Sequence, residues 1–239
     1  MAERFSASVA GRHMACHASA QLEIAIPGFT MPEEDRTKDN AANRGTKKHE
    51  LLAPIMELSP REVRWMAEYL EYIADLRGLR RFNVLAEQSV KATWLMTQPD
   101  TTPDLVLYTQ DEMHVIDGKW GQIPVELVGN EQFLFYDVCV APLAPKAKFI
   151  TNHLIQAPLG KFESWVVTTD DLAQFMAEAQ AAERAINAGS VTFGPSDHCT
   201  FCPANPHSRA SEKGHPKCPA MTQLLYPSTP VDEDAILSL

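Results

Sequence analysis

Three side chains in the stretch TTPDLVLYTQDEMHVIDGKWG, residues 101–121, are of types that could work together. Asp104, Asp117 and Lys119 lie on what reads as a β-hairpin, and its arms DLVLY and MHVID are apolar enough for a mostly buried sheet. A two-residue turn at Gln110-Asp111 sets Thr109 against Glu112 and, counting outward, Asp104 against Asp117. Opposed side chains of antiparallel strands lie about 4.5–5.5 Å apart at Cβ, where like charges repel. The period of two along a strand places Lys119 on the same face as Asp117. Two carboxylates and an ammonium therefore converge, and a divalent cation with oxygen ligands would relieve the repulsion. The bland alternative is another register, or acids on a solvated face. Against it stands the cost of an unpaired acid in a buried sheet.

The second group is sulfur. Cys199 and Cys202 form a C-x-x-C pair, a spacing suited to a metal or cluster, and Cys218 lies farther on before a proline. His198, His207 and His215 stand among them, so a local tetrahedral zinc site is the rival reading. Five cysteines in the chain are an odd number, which points to ligation before disulfides. Cys139 reads as a buried core thiol.

The elements that must position these groups follow from the pattern. Residues 1–22 read as a helical lead-in ending near Cys16, residues 27–43 as a polar loop, and residues 44–58 as a helix carrying His49. Ser59, Pro60 and Glu62 spell a capping box, with Val63, Met66, Leu70 and Ile73 at helical spacing behind it. Residues 81–94 read as a strand carrying Glu87, and the hairpin follows. A helix is expected from about Asn130, then strands in AKFITNHLIQ and SWVVTT. A final helix should start with Thr169 as cap and stop at Gly189. Helices, a strand meander, then helix, strands and helix make an α/β domain with a cysteine-tied C-terminal appendage.

Pro103-Asp104 followed by Asp117-Gly118-Lys119 resembles the PD-(D/E)XK nuclease signature. RGTKKH, ending at His49, resembles the G-T-x-x-H motif of the RecB-like branch, and Gln132 with Tyr136 resembles its Q-x-x-x-Y helix. The resemblance spans about Cys16 to Cys218 in the family's order and is closest to phage-encoded, iron–sulfur RecB-like exonucleases. It implies a restriction-endonuclease-like core, a central mixed β-sheet flanked by helices, over residues 40–190. Residues 1–39 would be a lead-in supplying one cluster cysteine, and residues 191–239 a Cys-rich iron–sulfur appendage with an acidic tail. It implies that Asp104, Asp117 and the Gly118 carbonyl bind Mg²⁺ or Mn²⁺, with His49 ligating a second metal or positioning the nucleophile. Lys119 would orient the attacking water, and Gln132 and Tyr136 would contact a phosphate or the strand end. Cys16, Cys199, Cys202 and Cys218 would hold a structural 4Fe–4S cluster, although the Cys202 to Cys218 gap is longer than the family's. The implied partners are DNA and a phage or host recombination or replication protein. Glu87 is a candidate extra acid, and Trp120 is core or a base-stacking ring.

Composition narrows the classes. Hydrophobic residues at 45% and charged ones at 22% suit a globular domain, and no apolar run approaches a membrane span. A net charge of -10 argues against a broad basic coat for nucleic acid but leaves room for an enzyme whose acids hold metal. The N-terminus lacks a signal-peptide core, so a cytoplasmic protein is expected, inside a bacterial host if phage-encoded. The competing function is a non-catalytic nucleic-acid- or protein-binding module, a degenerate nuclease fold held by zinc or a cluster. There VDEDAILSL would serve as a partner peptide.

Overall fold

A computed structural model describes residues 5–25, 59–196, 198, 199, 202, 204, 205 and 218–221. His49 and the helix expected around it, the loop expected over residues 27–43, His207, His215 and the acidic tail lie outside the described residues.

The lead-in is two helices, α1 (Ala10–Ala15) and α2 (His17–Ala25), broken at Cys16, whose φ of −144° and ψ of 92° are extended. Ser19 Oγ donates to the Cys16 carbonyl at 2.8 Å and secures the break. Helix α3 (Pro60–Arg77) begins with the expected capping box at Ser59 and Glu62. Its buried face differs from the expected one. Met66 and Ile73 face inward as expected, but Val63 and Leu70 are exposed, and Tyr69, Tyr72 and Leu76 pack on the sheet in their place.

The strand expected over residues 81–94 is two short pieces. β1 (Asn83–Ala86) stops at Glu87, whose φ of +48° ends any extended run. β2 (Val90–Lys91) pairs separately with β3 (Asp100–Thr101). Glu183, buried in the last helix, fixes the loop between them by accepting from Met96 N–H, Thr97 N–H and Thr97 Oγ1 at 2.9, 2.9 and 2.6 Å.

β4 (Leu105–Tyr108) and β5 (Met113–Gly118) form the hairpin. Helix α4 (Glu131–Val140), capped by Asn130, crosses to β6 (Phe149–Gln156), which lies parallel to β5. β7 (Lys161–Thr168) returns antiparallel to β6. Helix α5 (Thr169–Asn187) is capped by Thr168, one residue earlier than expected, because Asp171 completes a capping box with Thr168.

The sheet order is β1-β4-β5-β6-β7, a five-stranded mixed sheet with helices on both faces. One face carries Leu105, Leu107, Ile116 and Ile155 under α3. The other carries Val106, Met113, Val115, Ile150, Leu154 and Val167 against α4, α5 and the lead-in. Phe5 of the lead-in stacks on Phe135 of α4, so the N-terminal segment is part of the main core. Among the described residues, no helix is long and apolar enough to cross a membrane.

Candidate active site

The turn sets the register. Thr109 N–H donates to the Glu112 carbonyl at 2.8 Å, and Thr109 Oγ1 accepts from the N–H groups of Asp111 and Glu112. Leu105 pairs with Ile116 and Tyr108 with Met113, as counting from Gln110-Asp111 requires. One step farther out, Asp104 stands opposite Asp117, and Gly118 N–H donates to Asp104 Oδ2 at 2.8 Å. Asp117 is only 2% exposed. Its Oδ2 meets Lys119 Nζ at 2.8 Å as an ion pair. The acids lie at the carboxyl end of β5, where the chain leaves for α4, the end at which open α/β sheets form ligand crevices.

The electrostatics are one-sided. Burial, then repulsion from Asp117 and more weakly from Glu87, pushes the Asp104 carboxyl up to about 8, although Gly118 N–H and Lys119 pull the other way. Burial works against the Lys119 ammonium, but Asp117 and Asp104 outweigh it and raise its pKa. Protein groups alone therefore leave this cluster short of positive charge. Two carboxylates suit Mg²⁺ or Mn²⁺, hard ions commonly held by one or two acids together with substrate phosphates.

Helix α4 extends the site. Lys119 Nζ donates to Gln132 Oε1 at 3.1 Å, and Gln132 Nε2 donates to Tyr136 Oη at 2.7 Å. Gln132 is half-buried and Tyr136 buried, so they are not an ordinary exposed pair. Burial and then Asp117 raise the Tyr136 pKa and keep the phenol protonated. Asn130 Oδ1 accepts from Gln132 N–H at 3.0 Å, which fixes the start of α4. The intervening loop is clamped by buried Gln156. It donates to the Gly121 and Ile123 carbonyls at 2.9 and 2.7 Å and accepts from Val125 N–H at 3.2 Å.

One neighbour, Tyr69, stands out beyond the expected set, and the expected candidates Trp120 and Glu87 lie beside it. Tyr69 of α3 lies against Gly118, where an added Cβ would come 3.1 Å from Tyr69 Cε2. Trp120 packs on it, with ring centroids 5.7 Å apart at 49°. The signal for Tyr69 was present as the i, i+3 pair Tyr69 and Tyr72, yet aromatic spacing on a helix reads first as core. Glu87 is exposed, just past β1. Its N–H donates to the Asp104 carbonyl at 3.0 Å, and its charge reaches Asp104, Tyr69 and Tyr136.

A separate polar chain runs beneath α3. His114 Nδ1 and His153 Nε2 are 2.9 Å apart, His114 Nε2 lies 2.9 Å from Glu112 Oε1, and Tyr72 Oη lies 2.9 Å from His153 Nδ1. Arg80 pairs with Glu112 at its outer end. Burial, then His114, pushes His153 down to about 4, so the ring stays neutral. With the His153 ring neutral, Tyr72, His153, His114 and the Glu112 carboxylate form one continuous hydrogen-bonded line.

The cysteines gather where the two ends of the described chain meet. Cys202 N–H donates to the Cys199 carbonyl at 3.1 Å, and Cys218 N–H to the Ala204 carbonyl at 2.7 Å. Leu22, Cys202, Ala204 and Cys218 form a small buried cluster with Phe193, Ala220 and Met221. Burial lifts the Cys202 thiol to about 11, against an Ala204 N–H bond and the Arg12 charge, and it feels Cys218 and Cys16. Burial also raises Cys218, against N–H bonds from Met221 and Ala220, and it feels Cys16 and Cys199. Ser196 N–H lies 3.3 Å from Cys199 Sγ. N–H donors and a guanidinium stabilise thiolate sulfur, which is the donor chemistry a soft metal or cluster takes. Among the described residues, no group of three or more His, Cys, Asp or Glu side chains is arranged to hold a metal ion. Cys139 is half-buried, accepts from Trp94 Nε1 at 3.4 Å, and is raised to about 11 by burial.

A family model described as "Protein of unknown function (DUF2800)" matches residues 57–228. A solved structure described as "Crystal structure of SSO0001" is 12% identical, covering 66% of this chain and 75% of that one, with a TM-score of 0.34. No curated protein matches.

Proposed function

This chain belongs to the DUF2800 family, and we propose that it is a metal-dependent deoxyribonuclease of the RecB-like PD-(D/E)XK kind, working as an exonuclease on a restriction-endonuclease-like core. The observation that carries the reading is the opposition of Asp104 and Asp117 at a buried strand end, with Lys119 tied back to Gln132 and Tyr136. A module that only binds gains nothing from an aspartic carboxyl held at about 8. A site meant to take a cation does, because the ion discharges that strain.

Asp104 and Asp117 would hold Mg²⁺ or Mn²⁺, with the Gly118 carbonyl as a further ligand. When bound, the ion supplies the positive charge that activates water and steadies the scissile phosphate. Lys119, kept cationic by both acids, orients that water and offsets phosphate charge. Gln132 fixes the Lys119 ammonium through its carbonyl and turns its amide toward Tyr136, so α4 holds the lysine in line with the strand end. His49 remains a proposed ligand outside the described residues.

For the sulfur site, the proposal is a structural 4Fe–4S cluster on Cys16, Cys199, Cys202 and Cys218. Its support is the mutual influence of the four sulfurs and the N–H donors aimed at three of them. Zinc is the rival, and anaerobic purification with metal analysis separates them. A brown protein containing iron and labile sulfide supports the cluster, whereas stoichiometric zinc without iron overturns it. For the activity, Mg²⁺- or Mn²⁺-dependent loss of DNA, abolished in Asp117→Ala and Lys119→Ala, is expected. Full activity in EDTA, or from either variant, defeats the reading.

A further inference from the structure

Tyr69 and Tyr72 are one turn apart on the sheet-facing side of α3, yet their hydroxyls have different fates. Tyr72 Oη is bound to His153 at 2.9 Å, and its ring stacks on Phe162 with centroids 5.8 Å apart. The Tyr69 ring is held as firmly, wedged between Gly118 and Trp120. Its hydroxyl makes no hydrogen bond with any other described residue. The ring is fixed, yet the residue is only half-buried and its Oη keeps access to solvent, so it presents an uncommitted donor that a ligand at the neighbouring acids can reach.

The surroundings say what that ligand is. A phenol keeps its proton at neutral pH, so beside Asp104, Asp117 and Glu87 the group is a donor rather than a base. The carboxylates are acceptors, and a phosphodiester brings more acceptor oxygens and more negative charge into a place already rich in both. A neutral O–H donor on the α3 side relieves that excess without competing for the cation. Tyr136 approaches the same acids from α4, on the opposite face of the sheet.

We propose that Tyr69 is a catalytic residue of this site, its hydroxyl donating a hydrogen bond to a non-bridging oxygen of the scissile phosphodiester from the α3 side. The inference rests on the nuclease reading. The step it assists is hydrolysis, in which water's oxygen bonds phosphorus, the bridging P–O bond breaks and a proton goes to the leaving hydroxyl. Tyr69 keeps its own proton throughout.

The test uses the full chain with Mg²⁺ and a fluorescent DNA substrate. Tyr69→Phe is expected to lower kcat/KM about 10- to 100-fold, the range for losing one preorganised donor, with most of the loss in kcat. Mn²⁺ affinity, read by calorimetry without DNA, should stay at the native value. Since one oxygen is removed, the Tm should move by only about 2 °C. Tyr72→Phe is the control, deleting a committed hydroxyl, with kcat/KM per folded molecule unchanged. Native kcat/KM in Tyr69→Phe, while Asp117→Ala is inactive, overturns the role of Tyr69 and leaves the nuclease reading standing. A loss fully matched by a reduced folded fraction, or by weaker Mn²⁺ binding, also overturns it. A native protein that neither cleaves nor binds DNA removes the nuclease reading, and this inference with it.

Discussion

The sheet buries two polar clusters, and they are built on opposite terms. Beneath α3, Tyr72, His153, His114, Glu112 and Arg80 satisfy one another in a single line, with His153 held neutral. At the end of β4 and β5, Asp104 and Asp117 face each other with one ammonium between them, and Asp104 is driven up to about 8. A polar network whose members complete each other rigidifies a fold. One whose members repel is relieved only by a proton or by a cation that joins it. The first cluster is complete in itself, whereas on the proposed reading the second is a receptor, and the balance of donors, acceptors and charges tells them apart.

The contrast is most sharply broken by removing one member of each. Asp117→Asn should cut DNA hydrolysis by about 10³-fold or more, by analogy with losing a group central to metal catalysis. Above pH 8, where Asp104 is ionised, it should raise the metal-free Tm by a few degrees, because a repulsion goes with it. Activity assays beside thermal melts read both, and a variant that is inactive but less stable would place Asp117 in the architectural class. His153→Ala should do the reverse. It strands Tyr72 and His114 and opens a cavity, a loss of roughly 2–4 kcal/mol by denaturant titration, with kcat per folded molecule retained.

Acidity separates the two regions next. For Asp104 the folded state holds a proton that the unfolded chain releases near 3.8, so metal-free stability falls as pH rises from about 4 to about 8. For His153 the unfolded ring takes a proton near 6.5 while the folded ring resists until about 4, so stability falls as pH drops through that interval. Between pH 6.5 and 8 the acids act without opposition from His153. Asp137, fully buried with Asn152 Nδ2 donating to it at 2.8 Å and also raised to about 8 by burial, adds to the slope there. Melts of Asp104→Asn and Asp137→Asn divide the two shares. Saturating Mg²⁺ at about 100 times its Kd should add about 2.7 kcal/mol and flatten only the share due to Asp104. The smallest effect is expected from Gly118→Ala. Its methyl pushes the Tyr69 ring aside by a few tenths of an ångström, about 1 kcal/mol of strain and a several-fold loss of kcat.

The hairpin was the most legible part of the sequence. Gln110-Asp111 as a two-residue turn and the period of two suffice to oppose Asp104 with Asp117, since both rules are local. Helix ends were nearly as clear, and Thr168 displaced Thr169 because its partner Asp171 sits three residues on. Residues 81–94 misled because their apolar alternation runs through Glu87, where a positive φ breaks it. The α3 face misled because Val63 and Leu70 fit helical spacing as well as Tyr69 and Tyr72 do, and only the sheet decides between them. His114 and His153 meet across parallel strands, and nothing in their 39-residue separation announces it. The positions of Gln132 and Tyr136 came from resemblance to a motif, and their contact with Lys119 is a matter of tertiary structure.

The way the lead-in docks bears on how the molecule is made. His17 Nδ1 reaches Ser190 Oγ across 173 residues, Gln21 Nε2 reaches the Ile186 carbonyl across 165, and a Cβ on Gly194 would run into the Ala15 carbonyl. A chain emerging from the ribosome therefore cannot complete the docking of α1 and α2 until α5 and the residues after it have been synthesised. Closing so long a loop is slow. Phe5 stays open to solvent and chaperones until Phe135 of α4 has been made, and the thiol of Cys16 stays open to oxidants for longer still.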